Sequence, residues 1–160
     1  MMRKILVLDP ERCTGCNTCA VVCSFGKEKE FNIHKSRISV IDIEPGVHAP
    51  MVCQHCATPL CEDVCPMGAI SKDEQTGTVL VNSNLCIGCQ MCLIVCPLGG
   101  PAFNIETGAM MKCDLCEGDP LCAKYCFPGA LKFVDADQVA LIKRREGAEK
   151  LSVLIRKVIE

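Results

Sequence analysis

Bulky aromatic residues are scarce in this chain of 160 residues, which has no Trp, one Tyr and five Phe. They offer little material for a conventional hydrophobic core. The formal net charge is −2, so the basic excess typical of nucleic-acid-binding proteins is missing. No apolar run approaches the roughly 18 residues that a membrane-spanning helix needs. We therefore expect a protein that neither binds nucleic acid nor spans a membrane.

The first residues also lack the pattern of a secretory signal. Arg3 and Lys4 are followed by an apolar run of only residues 5–8, which is shorter than the core of a signal peptide. No small-residue cleavage site follows this run. We predict a cytoplasmic protein.

Cysteine, in contrast, is abundant. Sixteen cysteines fall into four groups of four, and none is left over. Each group begins with the spacing C-x2-C and ends with C-x3-C, so only the middle gap varies. The four groups are Cys13, Cys16, Cys19, Cys23; Cys53, Cys56, Cys61, Cys65; Cys86, Cys89, Cys92, Cys96; and Cys113, Cys116, Cys122, Cys126.

This spacing is typical of proteins that bind [4Fe-4S] clusters. A cubane is compact, so three thiolates must converge on it from one tight turn of chain, and gaps of two residues allow this. In bacterial two-cluster ferredoxins the last Cys of each run, followed by Pro, is a ligand of the other cluster. Pro97 follows the third group and Pro66 follows the second in the same way. The pattern predicts four [4Fe-4S] clusters, and therefore electron transfer.

Glycine supports this interpretation at two equivalent positions. Gly15 and Gly88 each precede the second Cys of their group, where the backbone must bend closely around the inorganic core. Ordinary turn chemistry is the alternative explanation for each of them.

Three other uses of cysteine are less consistent with the sequence. A disulfide scaffold would suit a short secreted chain, and no secretory signal is seen. Zinc ribbons place two C-x2-C pairs well apart and need no third and fourth Cys at short spacing. A thioredoxin-type redox site would need a single C-x2-C in a βαβ context rather than four dense runs.

Short regular elements are predicted between and around the cysteine groups. Alternating and β-branched residues predict strands, and short apolar runs beside the cysteines predict helices. The predicted strands are 4–8, 37–43, 78–81 and 131–134, and the predicted helices are 18–24, 59–65 and 91–95. Beyond Gly147 an amphipathic helix is predicted from the helical spacing of Leu151, Leu154, Ile155, Val158 and Ile159.

Three features of the sequence together resemble a known family. They are the order of the four groups, the Cys-Pro pairs that end the second and third groups, and the stretch 112–116 that opens the fourth group. The chain is similar to the four-cluster iron-sulphur subunits of molybdenum and tungsten oxidoreductases, such as dimethyl sulfoxide reductase and formate dehydrogenase. The resemblance covers about residues 4–134. It implies an α+β fold in which tandem ferredoxin-like, two-cluster lobes are fused into one compact four-cluster domain, residues 1–136. The outer lobe would comprise 1–35 and 105–136, the inner lobe 45–104, and residues 137–160 would form the C-terminal helical extension.

The resemblance also implies which cysteines share a cluster. The implied ligand sets are Cys13, Cys16, Cys19 with Cys126; Cys23 with Cys113, Cys116, Cys122; Cys53, Cys56, Cys61 with Cys96; and Cys65 with Cys86, Cys89, Cys92.

In size the chain is similar to the small subunits of tungsten aldehyde oxidoreductases and tungsten benzoyl-CoA reductases. The resemblance implies a large catalytic partner with a tungsten or molybdenum pterin, and a further flavin or ferredoxin-type redox partner. No catalytic group is found besides the clusters, so we expect catalysis to belong to the partner. A free-standing polyferredoxin that carries electrons by diffusion, and a zinc-dependent interaction module, are the alternatives.

Three side chains are candidates for adjusting cluster potentials. His55 lies between Cys53 and Cys56, where a protonated imidazole could raise the potential of that cluster. Lys112 and Lys124 lie beside and within the fourth group. For each of the three, a surface position or a backbone hydrogen bond is the simpler explanation.

Overall fold

The computed structural model describes residues 4–159. Within the C-terminal helix, the side chains at 146, 150, 153, 154 and 157–159 lie outside the described residues. The strands of this part of the chain are β1 (Lys4–Leu8), β2 (Ile38–Glu44), β3 (Val47–Val52), β4 (Ile70–Lys72), β5 (Val79–Val81), β6 (Ala102–Asn104), β7 (Ala109–Met111) and β8 (Leu131–Asp135). The helices are α1 (Thr18–Glu28), α2 (Leu60–Asp63), α3 (Met91–Ile94), α4 (Leu121–Lys124) and α5 (Ala136–Ile159).

The strands form antiparallel ribbons of two strands each. Three are hairpins, β2–β3, β4–β5 and β6–β7, and the fourth pairs β1 with β8 from the far end of the domain. In that ribbon Leu6 lies opposite Phe133. A two-stranded ribbon is only marginally stable in water, so each must gain stability from what it packs against. The predicted mixture of helices with small sheets is confirmed.

Four of the strands follow the sequence prediction and four do not. The predicted strands correspond to β1, β2, β5 and β8. Strand β3 contains Pro50, which argues against a central strand but is tolerated in a ribbon that has only edges. The remaining strands, β4, β6 and β7, have three residues each, too few for an alternating pattern to be recognised.

The helices also differ from the prediction in extent. Helix α1 continues to Glu28, four residues beyond its predicted end, and α4 was not predicted. The C-terminal helix begins at Ala136, so it includes both the segment beyond Gly147 where the amphipathic spacing was recognised and the residues before it. Good helix-forming residues fill the added turns, but their apolar spacing is too weak to mark them.

Buried apolar residues form two separate cores. The larger core is framed by β1, β8, β2, β3 and α1, and the smaller core lies between β4, β5, α3 and β7. The larger core consists of Leu6, Cys19, Cys23, Ile38, Val52, Cys53, Cys113, Leu115, Cys122 and Leu131. The smaller core consists of Ile70, Val79, Cys92 and Met110. Cysteine is thus a principal component of both.

The C-terminal helix contacts the terminal ribbon. Its first turns touch β8 and β1, and Val139 and Ile142 are half-buried there. Leu151 and Ile155 are exposed, whereas the side chains of Leu154, Val158 and Ile159 lie outside the described residues. The amphipathic character of this helix therefore stays a prediction. Within residues 4–159, none of the helices has the length and apolarity needed to cross a membrane.

Candidate metal centre

The first and third cysteine groups share one backbone conformation. Gly15 and Gly88 have φ of 71° and 68°, and Asn17 and Gln90 have φ of 56° and 61°. Helices α1 and α3 begin directly after Asn17 and Gln90. Left-handed conformations are costly outside glycine, so their recurrence at matched positions indicates a repeated loop rather than chance. The loop turns three cysteines of each group towards a common point.

The second and fourth groups share a different conformation. His55 and Leu115, each two residues after the first Cys of the group, have φ of 48° and 56°. Their backbone N–H groups donate to the Sγ atoms of Cys53 and Cys113, both at 3.4 Å. The chain is therefore an internal duplication in which the first group corresponds to the third and the second to the fourth.

The first site brings together Cys13, Cys16, Cys19 and Cys126, which line one cavity. Burial raises the pKa of Cys19 to about 11, and the charges of the other three cysteines add to this rise. Cys126 is more than a hundred positions from the others in the chain, yet it belongs to the same group of thiols. All four were predicted to share a cluster.

The fourth site brings together Cys65, Cys86, Cys89 and Cys92, which line a second cavity. The N–H of Ala69 donates to Cys65 Sγ at 3.2 Å. The N–H of Met110 donates to Cys86 Sγ at 3.3 Å. Backbone N–H donors of this kind favour a thiolate over a thiol.

The second site involves Cys23, Cys113, Cys116 and Cys122. Burial raises the pKa of Cys122, and the charges of Cys113, Cys23 and Cys116 raise it further. Burial likewise raises the pKa of Cys113 to about 12. The N–H of Arg37 donates to Cys23 Sγ at 3.4 Å. These thiols are the most deeply buried of the four sets.

The third site involves Cys53, Cys61 and Cys96, with Cys56 three positions after Cys53. Burial raises the pKa of Cys61, Lys112 opposes this, and the charges of Cys53 and Cys96 add to it. The N–H of Gly100 donates to Cys96 Sγ at 3.3 Å. Cys56 is exposed and lies at the surface of the site.

Electrostatic contacts also join neighbouring sites. Cys19 of the first site acts on Cys122 of the second. Cys53 of the third acts on Cys113 of the second, and Cys61 of the third acts on Cys92 of the fourth. The first site is thus a neighbour of the second, the second of the third, and the third of the fourth, and we call this succession of neighbours the row.

The residues fit [4Fe-4S] clusters on chemical grounds. Thiolates are the usual ligands of such clusters, and the N–H donors at Cys23, Cys53, Cys65, Cys86, Cys96 and Cys113 stabilise negative charge on sulphur. The ammonium of Lys112 is 7 % exposed and donates to Cys53 Sγ at 2.7 Å. A buried ammonium requires a negative partner, which an anionic cluster supplies.

The structure distinguishes between the explanations offered for the three candidate tuning residues. His55 is buried, and its Nδ1 accepts a hydrogen bond from the N–H of Val79 at 3.0 Å. An Nδ1 that accepts carries no proton, so His55 makes the backbone hydrogen bond that was its simpler explanation and does not act as an imidazolium. Lys112 is buried rather than at the surface. Lys124 is exposed and ion-paired with Asp119, as its simpler explanation expected.

Comparison with known proteins identifies the class of protein to which this chain belongs. The family model described as "4Fe-4S dicluster domain" matches residues 46–136, and "4Fe-4S binding domain" matches residues 6–26. The aliphatic sulfonate oxidoreductase, polyferredoxin-like subunit, of Pyrococcus furiosus is 35% identical over 96% of this chain and 91% of its own. The B subunit of anaerobic dimethyl sulfoxide reductase from Escherichia coli K12 is 36% identical over 82% of this chain and 73% of its own.

A solved structure also aligns along the full chain. The active-site complex BamBC of benzoyl coenzyme A reductase with benzoyl-CoA covers 100% of this chain and 99% of that chain, with 23% identity and a TM-score of 0.48.

The chain therefore carries several [4Fe-4S] clusters and serves in electron transfer. It belongs to the 4Fe-4S dicluster family of iron-sulphur oxidoreductase subunits, which confirms the resemblance seen in the sequence.

Proposed function

We propose that the sixteen cysteines hold four [4Fe-4S] clusters in the sets described above, and that the chain relays single electrons between a catalytic subunit and a second redox partner. The observation that carries this proposal is that thiols from distant parts of the chain line common cavities, Cys126 with the first group and Cys65 with the third. When bound, each cluster supplies a one-electron couple. The protein holds the clusters in sequence and limits their contact with water.

Both ends of the row reach the surface. Cys16 of the first site and Cys89 of the fourth are exposed, as is Cys56 of the third, whereas Cys19, Cys23, Cys53, Cys92, Cys113 and Cys122 are buried. Exposed thiols at the first and the last site would let electrons enter and leave near Cys16 and Cys89. A catalytic subunit with a tungsten or molybdenum pterin would dock at one end, and a flavin or ferredoxin-type partner at the other.

The division into an outer and an inner lobe stays a prediction, and the packing favours a change in its limits. The hairpin of β6 and β7 spans residues 102–111, so it crosses the predicted limit at residue 104. Met110 of that hairpin packs in the smaller core. We propose that the inner lobe extends to Met111 and that the outer lobe resumes with the fourth cysteine group. The cytoplasmic location also stays a prediction.

Chemical analysis of anaerobically purified protein tests the cluster proposal. We expect about sixteen iron and about sixteen acid-labile sulphide per chain, from four cubanes. The zinc alternative predicts about four zinc ions, no sulphide and no brown colour. Among the described residues, no three His, Cys, Asp or Glu converge closely enough for one metal ion. Fewer than about twelve iron per chain would contradict the proposal.

Native purification tests the partner. A tagged chain expressed in its own host is expected to co-elute with a larger protein that contains molybdenum or tungsten, detected by elemental analysis of the same fractions. A chain that elutes alone as a monomer with every cluster intact would instead favour the diffusible polyferredoxin. The relatives named as subunits make that alternative the less favoured one.

A further inference from the structure

Lys112 is an unusual residue for its position. Its side chain is 7 % exposed, and its Nζ donates to Cys53 Sγ at 2.7 Å and to the carbonyl oxygen of Val79 at 3.3 Å. Cys53 is 59 positions away in the chain. Burying an ammonium costs several kcal/mol unless a negative partner compensates. Such a position indicates a role for the charge itself.

Among the described residues, no carboxylate neutralises the charge of Lys112. None of the ion pairs found between them includes it. The second site differs in this respect, because Lys27, which acts on Cys116, is ion-paired with Asp114. The third site therefore faces a net positive charge, whereas the second faces a neutral pair.

The internal duplication makes this difference specific to one site. Lys112 directly precedes Cys113, and the corresponding residue before Cys53 is Val52. Val52 is 3 % exposed and packs in the larger core. Val52 and Lys112 occupy equivalent positions, directly before the second and the fourth cysteine group. Only Lys112 is charged, and its ammonium contacts Cys53 of the second group.

The surrounding contacts hold the ammonium in place. Val79, which is 0 % exposed, accepts from Lys112 through its carbonyl oxygen and donates through its N–H to Nδ1 of His55. The N–H of His55 in turn donates to Cys53 Sγ. Lys112, Val79, His55 and Cys53 thus form a closed ring of hydrogen bonds. A fixed charge in a poorly solvated interior acts on its neighbour more strongly than one in water.

We propose that Lys112 is a positioning residue that raises the reduction potential of the third site above that of the second. One-electron reduction, by a redox partner or by dithionite, changes the charge of a cubane with its four thiolates from about −2 to about −3. The ammonium of Lys112 stabilises the added negative charge and so favours the reduced state. An electron that crosses the row is held preferentially at the third site. This inference rests on the proposed function, because it requires a cluster at Cys53.

The test compares variants of Lys112 by anaerobic redox titration followed by electron paramagnetic resonance. Lys112→Met removes the charge and the hydrogen bonds at similar length, Lys112→Gln removes the charge but retains a donor, and Lys112→Arg retains the charge. Lys124→Met is the matched control, since it removes one exposed lysine that is ion-paired with Asp119. Cys56→Ser assigns the signal of the third site, because the proposed ligand sets make Cys56, an exposed residue, a ligand of that site.

We expect both neutral variants to lower one of the four midpoint potentials, the one whose signal Cys56→Ser alters. The expected change is about a tenfold fall in the ratio of reduced to oxidised cluster at fixed potential, about 59 mV for a one-electron couple. Lys112→Arg and Lys124→Met should change that midpoint potential by less than about a third of this shift.

Three outcomes would overturn the inference. An unchanged potential in Lys112→Met would show that the charge has no effect. A wild-type potential in Lys112→Gln beside a lowered one in Lys112→Met would assign the effect to the hydrogen bond. Loss of the third site from both neutral variants would give Lys112 a structural role instead. Iron analysis separates these outcomes from failure of the proposed function, which would appear as fewer than about twelve iron per chain in the unmodified protein.

Discussion

The larger and the smaller core are built from the same kinds of element but depend on the chain in different ways. The larger core joins both ends of the domain, since β1 pairs with β8 and α1 packs against α4. The smaller core is assembled from hairpins whose strands are close in sequence, β4–β5 and β6–β7. A local hairpin costs little loop-closure entropy, whereas a ribbon made from the two ends costs more. We therefore expect the larger core to depend more heavily on cluster binding by its cysteines.

Removing one cysteine that reaches between groups should affect the larger core most. Cys126→Ser is expected to remove the cluster of the first site, so iron falls from about sixteen to about twelve per chain. Because Cys126 packs against the larger core, hydrogen exchange of the β1 amides should also accelerate. Iron analysis and exchange measured by mass spectrometry check both results.

Cys65→Ser is the counterpart at the smaller core, against which Cys65 packs, and Ser83→Ala is a control at an exposed residue. Cys65→Ser should also lose about four iron but leave exchange in β1 unchanged. If Cys126→Ser kept all four clusters, the assignment of Cys126 to the first site would be wrong.

A smaller effect is expected from the two equivalent glycines. A Cβ at Gly88 would lie 2.2 Å from the carbonyl oxygen of Gly108, which is backbone and cannot easily move. A Cβ at Gly15 would meet the His48 ring at 2.7 Å, and that side chain can shift. We expect Gly88→Ala to cost about 3 kcal/mol or more, from left-handed strain together with overpacking, and Gly15→Ala about 1–2 kcal/mol.

Gly68→Ala isolates the backbone strain in this comparison. Gly68 has φ of 58° and nothing lies within 4 Å of its added Cβ. The temperature at which cluster absorbance is lost should fall most for Gly88→Ala, then for Gly15→Ala and least for Gly68→Ala. Equal shifts in the three variants would mean that strain alone, and not the contact with Gly108, decides the cost.

The smallest expected effect is a difference in thiol reactivity with pH. In Cys16, a hydrogen bond with Thr18 lowers the pKa, whereas burial raises the pKa of Cys19 to about 11. A lower pKa gives more thiolate at a given pH, so alkylation of Cys16 should reach half of its maximal rate below pH 9, and that of Cys19 near pH 11. Brief labelling of metal-free protein, followed by peptide mass spectrometry, measures both profiles.

Cys65 provides the comparison near the smaller core. Burial opposes ionisation there, but backbone hydrogen bonds from Met67, Ala69, Ile70 and Gly68 lower its pKa. The pH dependence of its alkylation rate should resemble that of Cys16. Identical profiles at all three cysteines would show that the metal-free chain does not keep this arrangement.

The sequence was most informative where spacing is a local property. The C-x2-C and C-x3-C steps mark each group, and the repeated glycines at 15 and 88 mark the turns that shape the first and third groups. Strands β1, β2, β5 and β8 were recognisable from their apolar residues. The three-residue strands β4, β6 and β7 were not, because hydrogen bonds with a partner strand define them and their own composition does not.

Contacts between distant residues account for what the sequence missed. The hydrogen bond between His55 and Val79 spans 24 positions, and that between Lys112 and Cys53 spans 59. Whether a lysine beside a cysteine is buried depends on which segment folds over it, and a single sequence does not contain that information. At the third site the charged neighbour of the thiols is the ammonium of Lys112, whereas His55 makes the backbone hydrogen bond that was its simpler explanation.

The pairing of β1 with β8 has a consequence for how the protein is made. A ribosome that has released only the first hundred or so residues has already delivered both strands of the β4–β5 hairpin, but it has not yet delivered the partner of β1. During translation β1 has no partner strand until Leu131–Asp135 is synthesised, and in the proposed ligand sets the thiols of the first group have no complete site until Cys126 is synthesised. Iron delivery timed to the end of synthesis would spare those early thiols from oxidation.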